Sequence, residues 1–184
     1  RGKAQSHFWS TEPRPCIVMT PQIARFLQEY DVSFGTPLLL GYLAHLDLDL
    51  KFWDVYMKSC VEFRDGNGEP AEDIRKVQSV FLKNTGRVIT LEEFFSPEYL
   101  YGDYGKLNRY LIGKYHLLIP EYEERYQGMV REVDNRDMEG ILEDLKGYLE
   151  REKGLDSGLE VLSEELFERF VKETARRFVE SIIR

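Results

Sequence analysis

The chain has 184 residues, of which 42% are hydrophobic and 13% aromatic, with 11 Tyr and 11 Phe. That content excludes a disordered chain, and the length suits one domain able to bury roughly two-thirds of its unfolded surface. The net charge of −8, from 33 acidic and 25 basic residues, disfavours sequence-independent attachment to nucleic acid or to an anionic membrane.

Cys16 and Cys60 are too few for a disulfide framework. Cys60 shares an apolar face with Tyr56 and Phe63, so it reads as a small buried hydrophobe. The longest apolar run, Pro37 to Ala44, falls far short of the ~20 residues of a membrane helix. No transmembrane segment is expected, and the reducing cytoplasm is the default compartment. With Arg1 in first place and no basic-then-apolar leader, the chain reads as a processed or excised fragment.

In chain order, residues 1–19 carry two prolines and no sustained period, and are expected to form an extended lead-in, with Phe8, Trp9, Ile17 and Val18 able to pack on the core. Residues 20–184 are expected to form a single helical domain. Thr20-Pro21 opens a helix with face Ile23, Phe26, Leu27 and Tyr30, because a hydroxyl can cap free N–H groups and proline tolerates the first helical position. Thr36-Pro37 and Ser96-Pro97 repeat that device. Glu69-Pro70 and Ile119-Pro120 also set proline before helix-favouring sequence.

Thr36 to Arg64 is the densest apolar stretch and the expected hub. Leu38, Leu39, Tyr42, Leu43 and Leu46 recur at helical spacing, and Phe52, Trp53, Tyr56, Met57, Cys60 and Phe63 recur again. The segment His45 to Leu50, HLDLDL, reads as a helix end and acidic elbow between two helices. Asp65 to Glu69 is a turn, and Ile74, Val77, Phe81 and Leu82 predict a helix over Pro70 to Asn84, closed by Gly86. Thr90 and Glu93 have capping-box spacing before a short helix.

A Tyr-rich helix is expected over Glu98 to Ile119, with Gly102 and Gly105 as candidate breaks. Further stripes follow: Tyr122, Tyr126, Met129, Val130 and Val133, then Met138, Ile141, Leu142, Leu145, Tyr148 and Leu149. After a turn at Gly154 to Gly158, Ser163-Glu164-Glu165 opens a last helix with Leu166, Phe167, Phe170, Phe178, Ile182 and Ile183 inward. The expected fold is therefore all-α, a single-domain bundle of about eight or nine helices.

Motifs for chemistry are sparse. His7, His45 and His116 form no H-E-x-x-H or E-x-x-H arrangement. His45 with Asp47 and Asp49 is the one His and carboxylate grouping, and it reads as an exposed acidic elbow in preference to a metal site. His116 reads as a partly buried structural histidine. The Asp65-x-Asn67-x-Glu69 spacing fails as a calcium loop, because its sixth position is Pro70 and its twelfth is Lys76. Phosphate-binding loops, dinucleotide fingerprints and nucleophile elbows are absent from the sequence. No cofactor is expected, and an enzymatic role is disfavoured although an all-α enzyme without a visible motif stays open.

The hub resembles the homology domain of regulators of G-protein signalling. The matching residues are Tyr42-Leu43, then Leu50-Lys51-Phe52-Trp53, then Phe63-Arg64, followed by Ala71 to Leu91, which looks like that family's next helix and loop. IARFLQEY and PLLLGYL are similar to the version found in Rho exchange factors. The resemblance implies an all-α fold that binds a Gα subunit and modulates its GTPase without covalent chemistry. It implies partner-binding positions at Asp47 and Asp49 in the elbow and at Asn84 and Arg87 in the loop. The chain departs from the family at Leu48-Asp49, where the family carries Glu-Asn, and is longer after Glu98. An alternative of a different class is a structural or chaperone-like domain that holds a peptide or a partner helix.

Overall fold

Nothing between Tyr42 and Cys60 can stop a helix, since the stretch has neither Gly nor Pro. In the computed structural model, which describes residues 2–9, 17–32, 36–121, 123, 128–133, 135–151 and 158–182, it forms one unbroken helix. Helix α3 (Pro37–Lys51) runs into a π-helical segment (Phe52–Tyr56) and then α4 (Met57–Cys60). The acidic elbow expected at His45 to Leu50 is thus mid-helix. Its charge is absorbed within the helix, where Asp47 and Lys51 pair at 2.6 Å one turn apart.

This long helix serves two apolar clusters. Leu39 and Leu46 are buried with Phe8, Phe26 and Val130, while Tyr56, Met57 and Cys60 are buried with Val80, Leu82, Phe94, Leu100, Leu107, Leu162 and Phe170. The π segment lies where the buried face passes from one cluster to the other. Its wider turn lets consecutive helical stripes aim at different neighbours. Phe52 and Trp53 pack against the larger cluster, and Cys60 is buried as the sequence suggests.

The all-α expectation is overturned. Val61–Arg64 (β1), Ser79–Leu82 (β2) and Val88–Ile89 (β3) form an antiparallel sheet in the order β1-β2-β3. Val61 faces Leu82, Phe63 faces Val80, and Val80 faces Ile89. The helix expected over Pro70 to Asn84 is absent for a local reason. Val77, Phe81 and Leu82 fit a helical stripe, but Ser79 to Leu82 also alternates, and β1 is there to pair with it. Burying Val80 and Leu82 completely on one face, with the Arg64 guanidinium 4.4 Å from the Phe81 ring centre on the other, wins over helical spacing.

Pro70 therefore bridges Arg64 instead of starting a helix. The Asp65 carboxylate accepts the N–H groups of Asn67 (2.8 Å) and Glu69 (3.1 Å), which folds the turn back on itself. Gly86 adopts φ 73° in the β2–β3 hairpin, a left-handed conformation that glycine tolerates.

Helix α5 (Leu91–Phe94) carries the full capping box anticipated at Thr90 and Glu93. Helix α6 (Leu100–Tyr115) runs through Gly102 and Gly105 without a break. It ends at His116, left-handed at φ 50° and exposed, not the partly buried histidine expected. Pro120 starts no helix. Helix α7 (Asn135–Arg151) begins well after it, and helix α8 (Glu164–Ile182) closes the chain. Tyr122, Tyr126 and Ile183 lie outside the described residues. The lead-in is partly helical, with α1 (Lys3–Ser6) followed by the buried Phe8, and α2 (Ile23–Glu29) places Phe26 edge-on to it, ring centres 5.3 Å apart. Among the described residues no helix is long and apolar enough to cross a membrane.

Candidate functional site

The four positions implied to bind a partner divide into two pairs. Asn84 and Arg87 share the β2–β3 hairpin and face the segment before α8. Asn84 Nδ2 donates to the Leu159 carbonyl (3.0 Å), while Arg87 pairs with Glu160 (3.2 Å) and donates to the Tyr99 hydroxyl (2.6 Å). Asp47 and Asp49 stand on α3. Lys83 N–H bonds the Cys60 carbonyl, which fixes the hairpin to the far end of the long helix, roughly three helical turns from Asp49. The helix-and-loop segment Ala71 to Leu91, on which the family resemblance partly rests, instead carries β2, the hairpin and β3.

Asp49 has a different neighbourhood from the one expected of an elbow. His45 and Asp49 are one turn apart on the same face of α3, and His7, which caps α1, comes down between them. His7 Nε2 is 3.2 Å from His45 Nε2 and 3.2 Å from Asp49 Oδ2. Sequence spacing shows His45 and Asp49 as a pair, but His7 is too distant in the chain to be associated with them. Asp47 points instead to Lys51. Burial pushes the His45 imidazole down, against the opposing pull of Asp49. Burial raises the Asp49 carboxyl, but the His7 hydrogen bond and the neighbouring His45, His7 and Lys3 outweigh it and hold the carboxyl below its usual range.

A second feature is an open groove of about 250 Å³ between the long helix and α8. Val55 of the π segment, Leu166 and Phe170 form its apolar wall, and Lys51, Arg169, Glu173 and Arg177 form its rim. Val55 is 59% exposed, which leaves its side chain open at the groove. Lys51 is engaged by Asp47 and Arg177 by Glu173, whereas Arg169 has no ion pair or hydrogen bond among the described residues. The π segment, with Val55 at the groove and Tyr56 beneath it, could not be distinguished in sequence from a regular helix.

The fold and these sites define a helix-rich α+β chain with a histidine–carboxylate cluster at one place and an apolar, cation-rimmed groove at another. Compared with protein-family models, with curated proteins and with solved structures, the chain finds no match.

Proposed function

We propose that the protein is a non-catalytic interaction domain that receives an acidic amphipathic segment of a partner in the groove between the long helix and α8. The observation that carries the proposal is the pairing of an exposed Val55 with Arg169, which is unpaired among the described residues, on the same groove. An apolar floor seats the i, i+3, i+4 side chains of a docked helix, and the rim cations Lys51, Arg169 and Arg177 outnumber Glu173. With Lys51 and Arg177 engaged by Asp47 and Glu173, Arg169 is the charge left to meet an acidic group of the partner. The volume is smaller than that of most small-molecule sites, and suits two or three side chains better than a whole cofactor. The proposed compartment is the reducing cytoplasm.

The test is fluorescence anisotropy with a labelled amphipathic helical peptide bearing a leucine stripe and a glutamate-rich face, and with its lysine-rich counterpart. The acidic peptide binds in the expected result, binding weakens in Val55→Asp and Arg169→Glu, and the basic peptide does not bind. Equal binding of both peptides, or binding indifferent to both substitutions, overturns the proposal. A Gα subunit is the narrower partner implied by the resemblance. Single-turnover GTP hydrolysis accelerated by the wild type but not by Arg169→Glu places Gα in the groove, and acceleration lost only in Arg87→Ala moves the interaction to the hairpin.

A further inference from the structure

We propose that His7, His45 and Asp49 form a binding site for a divalent transition metal of the zinc class, which fastens the N-terminal segment to α3. The cluster lies away from the groove and does not depend on the function proposed for it.

Geometry is the first argument. All three ligand atoms lie within 4.8 Å of one another. Two of the separations are 3.2 Å, close to the edge of about 3.3 Å that a tetrahedron has when its metal–ligand bonds are about 2.0–2.1 Å. The third edge is no longer than 4.8 Å, and rotation of the His45 or Asp49 side chain closes it onto a single ion.

The hydrogen bond on the far side of the ring provides the second argument. Ser6 Oγ lies 3.0 Å from His7 Nδ1, an outer contact of the kind that orients metal-binding histidines, and it leaves Nε2 as the ring atom turned to the cluster. His7 Nε2 stands 3.2 Å from Asp49 Oδ2, so an ion bound there replaces a direct contact between the two side chains.

The surroundings hold the ligands in place. Tyr42 donates its hydroxyl proton to the Ser6 carbonyl, pinning the α1 end to α3. Phe8, next in the chain, is 1% exposed and anchors the segment in the smaller apolar cluster. Two imidazoles and one carboxylate favour zinc, cobalt, nickel or copper over calcium or magnesium, which prefer oxygen. The outer side of His45 is solvent-exposed, so water completes the coordination. Lys3 contributes a positive potential to both His45 and Asp49, which weakens binding without blocking it.

The experiment titrates the full chain with Co²⁺, reading the visible d–d absorption of a tetrahedral site, and with Zn²⁺ by competition against a chromophoric chelator. One equivalent binds in the expected result. His45→Gln and Asp49→Asn each weaken binding more than about tenfold, whereas Asp47→Asn and His116→Gln leave it unchanged. Removing the nearby charge in Lys3→Gln tightens binding by roughly three-fold. Binding indifferent to His45→Gln and Asp49→Asn overturns the site. So does a wild-type chain whose His7 and His45 imidazole proton resonances do not move with Zn²⁺, a result that assigns the contact to a protonated His7 paired with Asp49.

Discussion

Asp103, fully buried on α6, accepts the backbone N–H of Val161 at 2.6 Å through Oδ2. The same oxygen accepts from Leu162 (2.9 Å), and Oδ1 accepts from Glu160 (3.1 Å). One carboxylate thereby satisfies three successive donors in the segment leading to α8, and Lys106 stands 3.8 Å away as its counter-charge. The Val161 and Leu162 donors are buried, where water does not replace the carboxylate. Asp103→Ala therefore leaves buried N–H groups unsatisfied, and unfolding free energy measured in urea is expected to fall by about 3 kcal/mol or more. A fall smaller than about 1 kcal/mol would show that this anchor is dispensable.

Tyr56 holds the same approach from the other side. Its hydroxyl donates to the Ser163 carbonyl and accepts the Ser163 N–H, both at 3.0 Å, while its ring stacks on Phe170 with centres 5.4 Å apart. Burial pushes the phenol well above its ordinary range. Tyr56→Phe keeps the ring and removes both hydrogen bonds, so a loss of about 1–2 kcal/mol in the urea midpoint series is expected. Because Asp103 and Tyr56 secure adjacent residues, the double variant should lose a different amount from the sum of the two singles.

Glu168 on α8 gathers Lys114, Tyr115 and Lys172 around one carboxylate. The Lys114 hydrogen bond is the main reason its carboxyl is lowered from 4.5 to about 2. A carboxyl depressed on folding stabilises the folded chain above its unfolded value, and loses that contribution as pH falls through the folded value. Wild type and Glu168→Gln should thus differ in Tm at neutral pH and converge between pH 4.5 and about 2. These side chains reach solvent, so added salt should shrink the difference at neutral pH. A gap that persists below pH 2 would assign the effect of the substitution to packing.

The sequence made the helical character of residues 37–60, the capping box at Thr90 and the last helix legible because each depends on neighbours within a few residues, but it suggested an elbow where the helix is in fact continuous. The sheet was not legible, since Val77, Phe81 and Leu82 satisfy a helical stripe and only the presence of Val61–Arg64 decides between the two. The same distinction separates the site residues. His45 and Asp49 are visible as a spaced pair, while His7 joins them only through the packing of Phe8 and the Tyr42 hydrogen bond. Asn84 and Arg87 were placed together by chain proximity, while the elbow expected around Asp47 and Asp49 is a continuous helix.

Gly102 shows how a residue can be mistaken for a helix breaker when it is what permits the helix. It lies in the first turn of α6, where the chain enters from Pro97, and a Cβ built there would stand 2.1 Å from the Pro97 carbonyl oxygen. That contact is with backbone, which cannot rotate away as a flexible side chain does. Gly102→Ala must either push the Pro97 turn outward or tilt the start of α6. Either movement displaces Asp103, the next residue, from the three N–H groups it satisfies. In a solvent-exposed helix the same substitution stabilises by up to about 1 kcal/mol through helix propensity. Here the expected sign is reversed, with a loss of about 3 kcal/mol in thermal or urea unfolding. Gly113→Ala, near the other end of α6 and with nothing within 4 Å of its added carbon, is the matched control and should be neutral or stabilising. If both substitutions stabilise equally, the close approach of Pro97 to α6 is not a feature of the folded protein.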